Sequence, residues 1–428
     1  MTLRWPLLFL LALPCAAQDD SWTTENAADF SWKAVEDDAR GFYLLWPRQE
    51  EGSTRILGQH FLPGGDPLWD MPGQSLMPVL TGTAAWTAFS DSQHGLAVAW
   101  VEQGRVWVQR IGPDGQPLWK TPMPLSDARY AATSPVGVAD GGGGFYVLWA
   151  ERAYPNRSVL MAQHLNGNGA PLWPVAVRIS LRPSDQREPN IVFDGAAGFV
   201  VSWADYRDFA SAWRVQRVNF QGFRAWGLEG LELTAPAGTG HSGLRLAPWG
   251  QGSLTATWIE TQHGHRRIQT RQISPRGLAV GEDKPPFVPH GDQWNPVLTG
   301  DGAGRYWVGW EDNRNEKSWQ VYLRLKAFEQ PIASGGTGDQ GRLALAEDGN
   351  QGVFSAWIES RSGSVTLFGQ HFDGALKPLW EPSGRVIAAG LKSPATPQLL
   401  ALGSGQAVIV WSSRPAKGRH ALAWQFLR

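Results

Sequence analysis

Six acids in this 428-residue chain stand two residues after a tryptophan: Glu102, Glu151, Asp205, Glu260, Asp312 and Glu359. Arginines follow the same kind of tryptophan, with Arg207, Arg314 and Arg361 four residues on and Arg152 and Arg414 three residues on. Cleavage of a sugar chain needs two carboxylates flanking the scissile bond, and six acids supply such a pair without selecting one. With the arginines, and with Tyr154 and Arg157 in the stretch 150–158, they could also form a charged ring that engages a polar ligand. The same spacing describes an acid–arginine pair that only orders a turn, and recurrence in six units favours that plainer reading. One stretch breaks the pattern: WIETQHGHRR places Glu260, His263 and His265 close together, with His241 and His290 in the flanking segments. Alternate residues of a strand point the same way, so an imidazole pair and a carboxylate could converge on a metal. Exposed loop histidines explain the run as well, and no metal site is expected from it.

Other reaction signatures are missing. The chain has no nucleophile elbow, phosphate-binding loop or His-Glu-x-x-His helix, and no Ser-x-Asp-x-Gly-x-x-Trp box. Lys+Arg 38 against Asp+Glu 39 leaves a net charge of −1, so no global field would recruit nucleic acid or anionic lipid. With 42% hydrophobic and 18% charged residues, the composition is that of a folded globular chain.

The elements that must position these residues repeat. A short β-rich run ending in tryptophan recurs eight times, at Trp46, Trp100, Trp149, Trp203, Trp258, Trp310, Trp357 and Trp411, with gaps of 54, 49, 54, 55, 52, 47 and 54 residues. Each unit has one internal order, clearest in the fourth: EPNIVF, a turn DGAAG, FVVSW, the charged ADYRD, WRVQRV, a turn NFQG, then FRAW. Asp-Gly at Asp140-Gly141, Asp194-Gly195, Asp301-Gly302 and Asp348-Gly349 suits the positive φ of tight hairpins. Third strands carry Gln followed by His or Arg, at Gln59-His60, Gln109-Arg110, Gln163-His164, Gln216-Arg217 and Gln370-His371. Units of about fifty residues with four strands each predict an all-β, eight-bladed β-propeller. The eighth unit ends at its third strand, LAWQFL, so Ser21-Trp22-Thr23-Thr24 is expected to supply the missing outer strand and close the ring.

Residues 1–17 read as an export signal: Arg4, the apolar run LLFLLAL, then Cys15-Ala16-Ala17 as a small-x-small cleavage site. Pro14 ahead of Cys15 argues against lipidation, so residues 18–428 are expected as one secreted or periplasmic domain, without a transmembrane segment and monomeric. Cleavage removes the only cysteine, leaving packing rather than disulfides to hold the fold.

That packing accounts for most of the 24 tryptophans. Eight end second strands, and Trp69, Trp119, Trp173, Trp226 and Trp380 follow the third-strand turn, where large indoles can fill the wedges between blades. Four more, Trp107, Trp213, Trp319 and Trp424, open or lie within third strands and are placed near the loop face, either stacked on sugar rings or packed beneath loops.

The segments GPDGQPLW (112–119) and NGNGAPLW (166–173) resemble the Gly-x-x-x-Trp docking element of quinoprotein-like eight-bladed propellers, and GFVVSWADYR (198–207) resembles repeats of secreted bacterial propellers. The resemblance covers nearly all of residues 18–428 but specifies blades, not chemistry. It implies, for the dehydrogenases of that architecture, PQQ with calcium and often a vicinal cysteine pair. This chain lacks the cysteine pair and a recognisable calcium ligand set, so no cofactor is expected. Related assembly scaffolds bind partner proteins without catalysis. The expectation is therefore a non-catalytic binding or scaffold module for a protein or glycan on the loop face. Its alternative is a glycoside hydrolase or lyase using carboxylates at the channel mouth.

Overall fold

The computed structural model describes residues 31–428 apart from 71–72, 82–84, 155–156, 183, 197, 208–209, 235–239, 251, 263, 282–289, 337 and 417–418. Eight antiparallel sheets follow one another along the chain. Six have four strands, as in blade 4 with Asp185–Phe193, Gly198–Arg207, Ala210–Asn219 and Leu231–Glu232. The first strand of each blade lies beside that of the next, and the last of them returns to the first, so the chain is an eight-bladed β-propeller with first strands innermost. No described helix is long and apolar enough to cross a membrane.

Two blades depart from the four-strand expectation. Blade 1 has a fifth short strand, Leu80–Thr81, against its third. Blade 8 shows three strands among the described residues, Gln398–Gly403, Gln406–Ala416 and Arg419–Leu427. The closing strand expected at 21–24 lies outside the described residues, as does the export signal. Closure is nonetheless visible in the packing, because Trp32, Phe42, Trp46 and Phe61 of the first blade share one cluster with Val408, Val410 and Leu422 of the last.

Second strands are buried on both sides. Phe199 to Trp203 has no exposed residue, since each blade is sandwiched between two others, and this is why the sequence shows continuous apolar runs instead of alternation. Seven of the eight strand-ending tryptophans are 3% exposed or less. Trp411, in the last blade, is half-buried.

On the face carrying the first hairpin turns, one carboxylate ties three elements together. Oδ1 of Asp194 accepts from the Ala196 and Gly198 amides at 2.8 and 3.1 Å, while Oδ2 holds the Arg217 guanidinium at 2.7 Å. Asp37 with His60, Asp91 with Arg110, Asp140 with His164 and Asp348 with His371 repeat the arrangement at 2.6–2.9 Å. The Gln preceding each of these basic residues binds backbone at the tryptophan after the third-strand turn, as Gln59 Nε2 does to Trp69 O at 3.0 Å and Gln216 Oε1 does to the Trp226 amide at 2.9 Å. A buried Asp–His pair usually invites a catalytic reading. Here it occurs in three blades and is replaced by Asp–Arg in two others, which identifies it as blade joinery.

Four of these tryptophans then fasten blades 1 to 4 each to the blade that follows. The indole N–H groups of Trp69, Trp119, Trp173 and Trp226 donate to Pro113, Gly167, Phe220 and Pro275 carbonyls at 2.8, 3.1, 2.8 and 3.0 Å. Each ring lies over a glycine of the neighbouring turn. A Cβ on Gly222 would come within 3.2 Å of the Trp173 ring and one on Gly277 within 2.8 Å of Trp226, and both glycines have positive φ. Blade 6 has no turn tryptophan, and the matching position of blade 7 is Leu376, at φ 61° and 2% exposed, packed with Ile332 and Ala333.

Candidate functional site

The opposite face carries the hairpins between second and third strands and the connections between blades, where propellers commonly bind. Four of the six acids read from the sequence are engaged there in bonds that hold the blades. The indole N–H groups of Trp149, Trp203 and Trp310 donate to Glu151, Asp205 and Asp312 at 2.8, 2.9 and 2.9 Å. Gln293 Nε2 donates to Asp312 at 3.1 Å and Gln340 Nε2 to Glu359 at 3.1 Å. Gln186 reaches Asp205 through the Ser184 hydroxyl at 3.3 and 3.1 Å.

These glutamines explain the acids. Gln186, Gln293 and Gln340 sit on first strands, and their carbonyls accept from the Leu160, Ile268 and Val321 amides of the preceding blade's third strand at 2.8, 2.9 and 3.2 Å. The acid orients the amide, and the amide clamps the neighbouring blade. Sequence reasoning missed these glutamines, although they recur just before or within the first-strand signal.

Arginines complete two of the acids. Arg207 binds both Asp205 oxygens at 2.6 and 3.0 Å and Glu229 at 2.9 Å. Arg314 binds both Asp312 oxygens at 3.0 and 2.6 Å and Glu329 at 2.8 Å. Burial pushes the Asp312 carboxyl up, but the bonds from Arg314, Trp310 and Gln293 outweigh it and leave its pKa below the ordinary value. With lone pairs taken by an indole, a guanidinium and an amide, such a carboxylate has little left for a ligand. Glu260 is buried and Glu102 half-buried. Glu151 differs in electrostatics: burial, against the bond from Trp149 and with the help of Asp127, holds its carboxyl above the usual range.

The remaining expectations separate. Arg152 and Arg361 are exposed, and Tyr154 is placed only as the backbone partner of Arg157 at the end of its hairpin. His263 lies outside the described residues, and exposed His265 has Nδ1 3.6 Å from Asp292. Among the described residues no three His, Cys, Asp or Glu side chains gather as metal ligands do. Trp213 is buried in the interface between blades 4 and 5, packed as the beneath-loop alternative expects, whereas Trp424 corrects the loop-face placement, packing 4.2 Å from Phe61 in the closure between blades 8 and 1. Both lie on faces that a neighbouring blade must cover, which the position along the strand does not reveal.

A cleft of about 410 Å³ opens on this loop face between blades 6 and 7. It is lined by Lys317, Ser318, Gly338, Asp339, Ser360, Arg361 and Ser362. Blade 6 contributes a seven-residue connection, Asn313 to Trp319, where blade 7 has the two-residue turn Ser362-Gly363. The longer loop is held in place. Asn315 Oδ1 accepts from the Lys317 and Ser318 amides at 3.0 and 3.1 Å, Gln320 Nε2 donates to Ser318 Oγ at 3.1 Å, and the Trp319 amide donates to Asp339 Oδ1 at 3.0 Å.

No family model matches this sequence, and no curated protein does either. Solved structures similar to it are propellers of unlike activities. One is a polysaccharide lyase of family PL25, an ulvan lyase, at 6% identity and TM-score 0.46 over 77% of this chain and 89% of that one. Another is a puromycin-hydrolysing peptidase of Mycobacterium tuberculosis, at 13% identity and TM-score 0.47 over 92% of this chain and 60% of the peptidase. A protein of unknown function from Dyadobacter fermentans is matched over 94% of this chain and 96% of its own, at 7% identity and TM-score 0.38. At these identities the likeness concerns fold alone.

Proposed function

We propose that this chain is an exported, monomeric, non-catalytic binding module that presents its loop face to a protein or glycan. The observation that carries this reading is the engagement of the conspicuous acids: Glu151, Asp205, Asp312 and Glu359 serve indoles, arginines and clamping glutamines rather than an open centre. Exposed on the same face are Arg152, Lys317 and Arg361, side chains that a ligand could meet. The indole-docked blades support kinship with quinoprotein-like propellers, and dye reduction on adding PQQ and calcium tests it.

A second reading, a carbohydrate-active enzyme, is favoured by Glu151 alone, because a carboxyl held above its ordinary pKa can remain protonated as a general acid. A panel of oligosaccharides and protein ligands, followed by both binding and product release, separates the two. Binding without turnover supports the module. Turnover abolished by Glu151→Gln, with the fold intact by circular dichroism, overturns it.

A further inference from the structure

The cleft between blades 6 and 7 differs from the rest of the loop face in how its charges stand. Among the described residues Lys317 and Arg361 form no ion pair, whereas Arg207 and Arg314 each hold two carboxylates. Asp339, the one acid lining the cleft, has Oδ1 occupied by the Trp319 amide, and nearby Glu359 receives Gln340. Across the lining itself two cations face one carboxylate, a surplus of one positive charge, at a site that also offers the hydroxyls of Ser318, Ser360 and Ser362. Its floor is fixed by backbone approach, since a Cβ on Gly338 would fall 2.5 Å from Ser360 O. The site, of about 410 Å³, is open to solvent and its lining is almost wholly polar, which suits a hydrated ligand unit rather than an enclosed apolar one.

Resting on the binding-module reading above, we infer that this cleft takes an acidic sugar unit of an oligosaccharide, its carboxylate or sulfate lying between Lys317 and Arg361 and its hydroxyls meeting the three serines. A guanidinium and an ammonium suit an oxyanion, with arginine able to bind it through two parallel bonds. The lining contains no large apolar side chain, so it lacks the pockets that give a peptide its anchors. Two features of construction agree. The cations come from different blades, so an occupant bridges a blade interface. The longest described connection between a second and a third strand supplies one wall, and its amides are already ordered, which lowers the entropy lost on binding.

The test uses residues 18–428, with tetragalacturonate, its methyl-esterified counterpart, a sulfated galactan oligosaccharide and a hepta-glutamate peptide as probes in isothermal titration. The expected result is saturable binding of at least one acidic sugar, weakened at least tenfold by esterification of the uronate or by Lys317→Ala or Arg361→Ala. The affinity should fall further as salt is raised from 50 to 300 mM, as screening requires. Both variants alter exposed side chains, and unchanged melting curves confirm that the fold survives. Equal binding of acid and ester overturns the inference, as does binding indifferent to both substitutions, tighter binding of the glutamate peptide, or no binding of any acidic sugar. If these fail while the broader panel still finds a ligand, the cleft assignment falls and the module stands; if the panel shows turnover lost with Glu151→Gln, the module itself falls.

Discussion

Trp203 offers the strictest test of the joinery. Its indole is fully buried between blades, its N–H donates to Asp205 at 2.9 Å, and a Cβ on Gly230 would come within 2.9 Å of its ring. Trp203→Ala removes the ring from a site walled by backbone, where collapse is limited, and should cost about 3–5 kcal/mol, the range for large aromatic truncation. Trp203→Phe keeps most of the volume and loses the donor together with the small pyrrole ring. Asp205 retains Arg207 at 2.6 Å and Ser184 at 3.1 Å, so the Phe variant should lose about 1–2 kcal/mol. Urea denaturation followed by far-ultraviolet circular dichroism measures both, because 24 tryptophans make fluorescence a poor reporter of one site. A total stability of ~5–15 kcal/mol leaves the Phe variant foldable even where the Ala variant is not. An Ala variant within about 1 kcal/mol of wild type would refute the assignment of Trp203 as interblade mortar, and a Phe variant as damaging as Ala would refute the division between volume and hydrogen bond.

Other consequences are sharper in sign than in size. Glu36, at the end of an innermost strand, keeps an exposed side chain, yet desolvation by the strands crowded around it, and then Asp38, Glu347 and Asp37, push its pKa from 4.5 up to about 7. The folded state therefore holds a proton between those values that the unfolded chain does not, so stability falls as pH rises through that window. Glu36→Gln should raise the urea midpoint at pH 8 and leave it nearly unchanged at pH 4.5; an equal offset at both would contradict the shift. Leu376→Gly relieves a left-handed backbone, worth about 1–2 kcal/mol, but empties a site 2% exposed, worth about 2–5 kcal/mol, so net destabilisation is expected and a more stable variant would count against the filler role. Removing residues 18–28 should lower the melting temperature by many degrees, whereas an unchanged melt would exclude that segment as the closing strand.

Much of this construction is legible because it repeats. Eight tryptophan-ended runs, Asp-Gly turns and Gln-His or Gln-Arg pairs each occur at a fixed place in the unit, and periodic spacing is a property of the sequence itself. Which groups meet is another matter. His60 lies 23 residues from Asp37, and Trp69 lies 44 from Pro113, and only the hairpin register and the stacking of blades bring them within 2.9 and 2.8 Å. Gln186, Gln293 and Gln340 escaped notice for a similar reason: each bonds across a blade boundary, to an amide 19 to 26 residues away. Trp424 looked like a loop-face aromatic because strand position does not reveal which face a neighbouring blade covers.

The acids show how repetition misleads about function. An acid in six of eight units seems to mark a ring-shaped site, yet the rotational order that makes it conspicuous is what a structural role predicts, since every blade boundary has the same problem of fixing a neighbour. A ligand lacks that rotational order. Groups that serve one should be unpaired, confined to one or two blades and placed where the unit departs from its rule. Blade 6 replaces a two-residue turn with Asn313 to Trp319, and the adjoining cleft holds two cations without ion pairs among the described residues. The departure and the unpaired charge occur at the same place. Trimming only 315–318 should therefore abolish acidic-sugar binding, while Arg314 stays on Asp312 and the clamp from Gln340 to Val321, and with them most of the stability, remain in place.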